Sequence, residues 1–317
     1  MSDRKIERPA YIELFESGVL AERSRILDDA MACCNICPRQ CGVNRKAGKT
    51  GFCGVGPEAR IAAMSIHPWE EPPISGTNGS GTIFFSGCTL KCLFCQNFPI
   101  SQMGVGRSMS PEDLAVGMMK LQKKGAHNIN LVTPTHQTPV FLKALLLAIP
   151  MGLHIPIVYN CSGYERVETL RLLEGVVDIY LPDIKYADSK VAQTLSGAAD
   201  YVEFNRTALR EMWRQVGLLQ MDEKGLARKG MMVRHLVLPE DLSGTFENLS
   251  FLMHAMGPEV WVSLMCQYFP AHKAFQVSPL DRKITLEEYE KAFDHLMELG
   301  MLNGFVQRHS EEEEVFC

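Results

Sequence analysis

Residues 82–97 read TIFFSGCTLKCLFCQN. The β-branched and aromatic run over residues 82–86 predicts a strand, and Gly87 opens a loop on which Cys88, Cys92 and Cys95 are spaced C-x3-C-x2-C. Three thiolates so close together can wrap one face of a cubane. A [4Fe-4S] cluster normally takes four, so three with no fourth nearby would leave one iron open to an exogenous ligand. The alternative on spacing alone is a zinc knuckle completed by a distant Cys or His.

C-terminal to this loop, short apolar runs alternate with amphipathic stretches, the pattern of parallel βα units. Strands are predicted over residues 82–86, 128–132, 155–160, 177–181, 232–238 and 260–264, with a weaker one at 201–204. Helices are predicted over 110–125, 138–148, 165–173, 188–195, 206–219, 244–256 and 285–299. The first has legible ends: Ser110 as N-cap, Pro111 in the first turn, Glu112 and Asp113 favouring the dipole, and Gly125 as the stop. The fold class is therefore α/β, a partial TIM-type (βα)6 barrel, in which chemistry belongs at the C-terminal ends of the strands.

N-terminal to the loop the texture differs. One helix is predicted over residues 9–31, where Leu14, Leu20 and Leu27 approach a helical period. After it comes CNICPRQCGVNRKAGKTGFCG, with Cys34, Cys37, Cys41 and Cys53 as C-x2-C-x3-C-x11-C and Cys33 to spare. Gly42, Gly48, Gly51 and Gly54 supply tight turns for thiolate wrapping. Zinc, mononuclear iron or an auxiliary [4Fe-4S] cluster would each fit four thiolates. The chain thus divides into a helical and Cys-rich metal-binding segment, residues 1–75, and a barrel with a C-terminal helix, residues 76–317.

Composition narrows the function classes. The 317 residues carry 32 Lys and Arg against 37 Asp and Glu, a net charge of -5, which argues against nucleic acid or an anionic membrane as partner. No apolar run is long enough to span a bilayer and the N-terminus lacks a secretory pattern, so a cytoplasmic protein is expected. In a reducing compartment the odd total of 11 cysteines speaks for metal ligation over disulfides, although Cys161, Cys266 and Cys317 stand apart. The acidic run at residues 311–314 reads as a solvated end.

The C-x3-C-x2-C loop after the first barrel strand, with Phe94 before the last cysteine, resembles the radical S-adenosylmethionine (SAM) superfamily. The order of segments from Gly81 to about Lys273 is similar to the activating enzymes of glycyl radical enzymes, especially pyruvate formate-lyase activase, and the resemblance is closest to an activase-like branch in which a Cys-rich segment precedes the barrel. The resemblance implies that a [4Fe-4S] cluster on Cys88, Cys92 and Cys95 binds SAM at its open iron. It also implies reductive cleavage to a 5'-deoxyadenosyl radical, and hydrogen abstraction from a substrate. Partners implied are SAM, an electron donor such as flavodoxin or ferredoxin, and a protein substrate.

Carried over segment by segment, IVYNCSGY brings Asn160, YLPDIKY brings Asp183 and Lys185, and VRHLVLP brings Arg234 to the SAM site. The family's Gly-Gly-Glu is absent, and LVTPTH stands in its place, so Thr133 and Thr135 would replace that contact through hydroxyls or backbone carbonyls. Asn160 and Cys161 replace an Asp-Thr pair, which weakens the family's monovalent-cation site, and Phe269 stands near a late strand end where the activase has His. The alternatives are modification of another peptide or small metabolite and, from another class, an electron-transfer or structural iron-sulfur protein.

Three further stretches are informative. HPWEEPPISGTNGSG, residues 67–81 with His67, Glu70 and Glu71, reads as a rigid connector or a lid over the barrel mouth. His127, Asn128 and Asn130 on a strand suggest either a polar lumen or a hydrogen-bonded core network. Cys266 reads as a small buried hydrophobe, with Gln267 and Tyr268 facing the mouth.

Overall fold

The structure, a computed structural model, describes residues 8–307; the acidic run at 311–314 and Cys317 lie outside the described residues. It opens with α1 (Ala10–Glu16) and α2 (Val19–Ala30), two helices where the sequence predicts one. Gly18, at φ +79°, ends the first, a left-handed conformation in which only glycine is unstrained.

After the cysteine-rich loop come β1 (Ala59–His67), α3 (Pro72–Ser75), β2 (Ser80–Phe85), α4 (Phe98–Ser101), β3 (Arg107–Met109) and α5 (Pro111–Lys123). The βα alternation continues with β4 (Ile129–Val132), α6 (Thr138–Ala148), β5 (Ile157–Cys161), α7 (Val167–Leu172), β6 (Ile179–Pro182), α8 (Ser189–Ser196) and α9 (Tyr201–Val216). It closes with β7 (Gln220–Met221), β8 (Ala227–Leu236), α10 (Thr245–Met256), β9 (Trp261–Met265), α11 (Leu286–Glu298) and β10 (Gly304–Val306).

The strands form one sheet in the order β10-β9-β8-β6-β5-β4-β2-β1-β3. From β2 to β10 every pairing in that order is parallel, the partial βα barrel expected from the sequence. Antiparallel β1 and β3 extend it beyond β2, so residues N-terminal to the cysteine loop contribute to the main sheet. β1 was hidden because ARIAAMSIH is rich in residues of low strand propensity, and its burial alternates only weakly. Residues 201–204, predicted as a weak strand, instead begin α9: Tyr201, Asn205, Leu209, Met212 and Val216 are buried at helical spacing. Four apolar and polar residues are too few to separate the two periods.

Side chains alternate across the parallel strands. Ile83, Phe85, Ile129, Leu131, Ile157, Tyr159, Met231, Val233, Val262 and Leu264 pack with the covering helices in one continuous core. Val158, Ile179, Leu181 and Met232 face the other way, into the concave inner face, where they pack around Ile74 of α3. The Pro-rich stretch between β1 and β2 is thus neither a lid nor an external connector. Driven by burial of Pro73 and Ile74, it inserts into the inner face and plugs the barrel from the N-terminal side. Asn128 holds it there, donating to the Ile74 carbonyl at 2.8 Å while accepting from Ser80 at 2.6 Å.

Candidate active site

β2 delivers the cysteine loop to the C-terminal edge of the sheet. The turn depends on Gly87 at φ +82°, since a Cβ there would lie 2.4 Å from the Cys53 carbonyl oxygen. The loop is clamped from three sides. Lys91 and Leu93 donate backbone N–H groups to Ser196 and Leu195 at the end of α8, Lys273 donates to the Leu93 carbonyl, and Gln102 donates to the Cys92 carbonyl. Phe94 is buried edge-on against Tyr268, whose hydroxyl is spent on the Leu280 carbonyl.

The three sulfurs already receive donors. Cys88 Sγ accepts from the Leu90 N–H at 3.4 Å, and Cys92 Sγ accepts from the Ser196 hydroxyl at 2.9 Å, itself paired with Tyr186. Cys95 Sγ lies 3.1 Å from the Ser101 hydroxyl. Burial, reinforced by the neighbouring Cys92 sulfur, pushes the Cys88 thiol up to about 12, and burial also raises Cys92 against the opposing pull of Lys185 and Ser196. Thiols that are costly to ionise unaided, but surrounded by donors and a cation, suit ligands whose charge a metal takes up on binding.

Lys185 connects the loop to the strand ends. Its ammonium pairs with Asp183 at 2.6 Å; burial works against the charge, while Asp183 and Cys92 together hold its pKa above the ordinary value. Asp183 follows β6 and bridges Arg234 of β8, and the Ile184 N–H bonds the Arg234 carbonyl at 2.9 Å. Asn160, buried near the end of β5, accepts the Thr133 N–H on its carbonyl at 2.8 Å. Asn160, Asp183, Lys185, Arg234 and the three cysteines are therefore gathered at one end of the barrel. Thr133 lies there too, at φ +57°, a conformation disfavoured for a β-branched residue. Thr135 turns away: its hydroxyl donates to Glu165 at 2.5 Å in a buried network with Tyr159, between strands and helices.

Arg234 is held by two carboxylates from the plug, Nη1 to Glu70 at 3.5 Å and Nε to Glu71 at 3.3 Å. Burial opposes its charge, but Glu71, Glu70 and Asp183 keep its pKa above the usual value. Burial in turn raises the Glu70 carboxyl, with Arg234 opposing. The Glu70-Glu71 pair belongs to the barrel interior, which sequence reading missed because a connector and an inserted plug share the same Pro and Gly signals.

The N-terminal cysteines dock directly on this loop. Cys37, Cys53 and Cys41 accept backbone N–H groups from Arg39, Val55 and Phe52, and Gly51 is needed because a Cβ would meet Cys41 Sγ at 2.8 Å. Burial pushes Cys37 up to about 12, and the proximity of Cys53, Cys34 and Cys41 adds to the shift. Among the described residues no three His, Cys, Asp or Glu side chains converge as a ligand set for a single metal ion. A cubane differs from such a site in spreading its thiolates over several irons. Arg39 reaches across to the Thr89 carbonyl at 2.9 Å and the Gly197 carbonyl at 2.6 Å, with its guanidinium 3.8 Å from the Phe52 ring centroid.

Residues 82–215 match the family model described as the radical SAM superfamily. The chain is 30% identical over 290 residues to the uncharacterized protein MJ0674 of Methanocaldococcus jannaschii, covering 89% of this chain and 80% of that one. It is 23% identical over 217 residues to the pyruvate formate-lyase-activating enzyme of Listeria monocytogenes, covering 59% of this chain and 79% of the enzyme. Among solved structures, HydG, a maturase of the [FeFe]-hydrogenase, superposes with a TM-score of 0.45 at 12% identity, over 68% of this chain and 48% of that one. With the cysteine loop and the strands around it inside the matched region, the chain belongs to the radical SAM superfamily.

Proposed function

We propose that this radical SAM protein abstracts hydrogen from a substrate held in the barrel, with Cys88, Cys92 and Cys95 as ligands of the catalytic cluster. The observation that carries the reading is the clamped three-cysteine loop facing Lys185, Asp183 and Arg234 across one barrel mouth. A [4Fe-4S] cluster bound there supplies the electron that cleaves SAM to methionine and a 5'-deoxyadenosyl radical. Lys185 offsets thiolate charge and Asp183 fixes its position. Asn160 and the strained Thr133 offer polar groups to SAM, Thr135 contributes through its backbone, and the buried walls keep water from a reactive radical.

Similarity to the Listeria pyruvate formate-lyase-activating enzyme supports an activating role on a protein substrate; a flavodoxin or ferredoxin as electron donor is our proposal. A small-molecule substrate is the second reading, favoured by unpaired polar groups on the inner face. For residues 1–75 we propose a metal-binding segment in which Cys34, Cys37, Cys41 and Cys53 hold a second metal or cluster, chiefly structural, since Arg39 and the Cys53 carbonyl brace the catalytic loop.

The test is 5'-deoxyadenosine formation by anaerobically reconstituted protein given SAM and a strong reductant. The wild type should form it and Cys88→Ala should not. No product from a wild type with full iron and sulfide would sink the reading in favour of an electron-transfer role.

A further inference from the structure

Asn128, just before β4, and Asn130, within it, have opposite fates. The Asn128 amide is satisfied on both sides by Ser80 and Ile74, whereas Asn130, fully buried, meets only the Glu70 carboxylate and leaves its amide oxygen without a donor. Asn130 faces Glu70 of the plug. Glu71 Oε2 beside them is likewise buried without a hydrogen-bond partner, and Arg234 Nε has only the 3.3 Å ion-pair contact with the other Glu71 oxygen. Arg234 spends its remaining contacts on a 3.5 Å approach to Glu70 and a 3.8 Å contact with the Met265 sulfur, although a guanidinium offers five N–H donors. Native interiors seldom leave such atoms unpaired, and a cluster of them calls for a partner that the chain does not supply.

The unspent atoms describe that partner. Glu71 Oε2 and the Asn130 oxygen need donors, while the terminal nitrogens of Arg234, with only the long Glu70 and Met265 contacts, have N–H groups to give. Three carboxylates, Glu70, Glu71 and Asp183, face two cations, Arg234 and Lys185, so the donor that fits best is positively charged. The guanidinium calls for an acceptor that is negatively charged. In register Asn130 pairs with Thr82 and Val158, two residues below the Val132–Asn160 pair at the mouth, while Arg234 bridges Asp183 at the strand ends, so these groups run from the mouth inward.

The geometry points to a binding site for a small zwitterion of the free amino-acid class in the barrel interior, its ammonium on Glu71 and Asn130 and its carboxylate on Arg234. This rests on the radical SAM reading in its small-substrate form and names the substrate class. Recognition would come from the plug, whose insertion brings two carboxylates to a place that no barrel strand supplies.

The experiment is calorimetric titration of the reconstituted, SAM-loaded protein with each of the twenty proteinogenic amino acids, with ethylamine and acetate as single-charge controls. At least one amino acid should bind, at least tenfold more tightly than either control. Glu71→Gln, close to isosteric, should weaken that binding at least tenfold. Asn130→Leu should do the same while melting close to the wild type, because it removes a buried unpaired oxygen and leaves Glu70 its Arg234 partner. Failure of every amino acid to bind, or binding retained in both variants, overturns the inference. So does a parallel loss of SAM affinity in both variants, which would assign these groups to the SAM site. A wild type that forms 5'-deoxyadenosine yet binds no amino acid overturns the substrate class alone and leaves the radical SAM reading standing.

Discussion

Thr133 occupies a left-handed conformation at φ +57° where β4 ends, at the place of a missing Gly-Gly-Glu. Strain of this kind in a β-branched residue costs on the order of 1–3 kcal/mol and persists only where surroundings or function maintain it. Thr133→Gly should therefore raise stability by about 0.5–1 kcal/mol in urea denaturation, the relief being partly offset by glycine's entropy. If the side chain serves the cofactor, SAM affinity measured on the same variant should fall. Gly87 is the reverse case, with φ +82° and a Cβ that would lie 2.4 Å from the Cys53 carbonyl oxygen. Gly87→Ala should destabilise by roughly 2–4 kcal/mol and displace the cysteine loop, read as lost iron and sulfide per chain. Sequence showed the three cysteines and their spacing at this scale. It could not show which glycine was indispensable, because that depends on a backbone 34 residues earlier.

Between β5 and α7 the buried Glu165 receives the Thr135 and Tyr159 hydroxyls at 2.5 and 3.2 Å. Burial nevertheless pushes its carboxyl up to about 8 from an ordinary 4.5, and burial likewise raises Asp178, before β6, to about 7. An unfolded chain releases these protons near pH 4 to 4.5, whereas the folded chain keeps them, so the unfolded state binds fewer protons across this window. Stability is accordingly greatest below that range and falls as pH rises toward 8. Glu165→Gln should flatten the fall between pH 5 and 8 by about 2–4 kcal/mol, measured by denaturant titration at each pH. A slope unchanged in the variant would show that Glu165 ionises readily in the fold. The covering helices at this scale were legible because caps and period agree, as at Ser110, which accepts the Asp113 N–H at 3.1 Å. α9 was misplaced at its start, since YVEF satisfies a strand pattern until its helical partners four and eight residues on are counted.

Across the whole molecule, the N-terminal cysteine segment and the catalytic loop form one contact, through Arg39 to the Thr89 and Gly197 carbonyls and through Cys53 against Gly87. If Cys34, Cys37, Cys41 and Cys53 hold the metal proposed for them, its loss should therefore be felt at the first site. Cys37→Ser with Cys53→Ser should reduce the metal content of the N-terminal segment and also lower the iron retained by the catalytic loop, seen by elemental analysis of each purified variant. Full catalytic iron in that double variant would show that the two sites are independent. A chelator should, on the same ground, lower the melting temperature of the wild type more than that of the double variant.

The sequence by itself determined the parallel βα architecture and the ligand loop. Hydrophobic period, helix caps and C-x3-C-x2-C spacing are local properties, and the radical SAM family followed from them. Only the tertiary structure decided what fills the barrel interior. Glu70 and Glu71 carry no signal of burial in a Pro-rich stretch; they face Arg234 because Ile74 is driven into the inner face and Asn128 fastens it there. Whether Asn128 and Asn130 belonged to a core network or to a polar lumen was open in the sequence, and the fold ties Asn128 to Ser80 and Ile74 and turns Asn130 toward Glu70. Partners that lie 54 or 164 residues apart, as Ile74 from Asn128 and Glu70 from Arg234, meet only when the sheet closes.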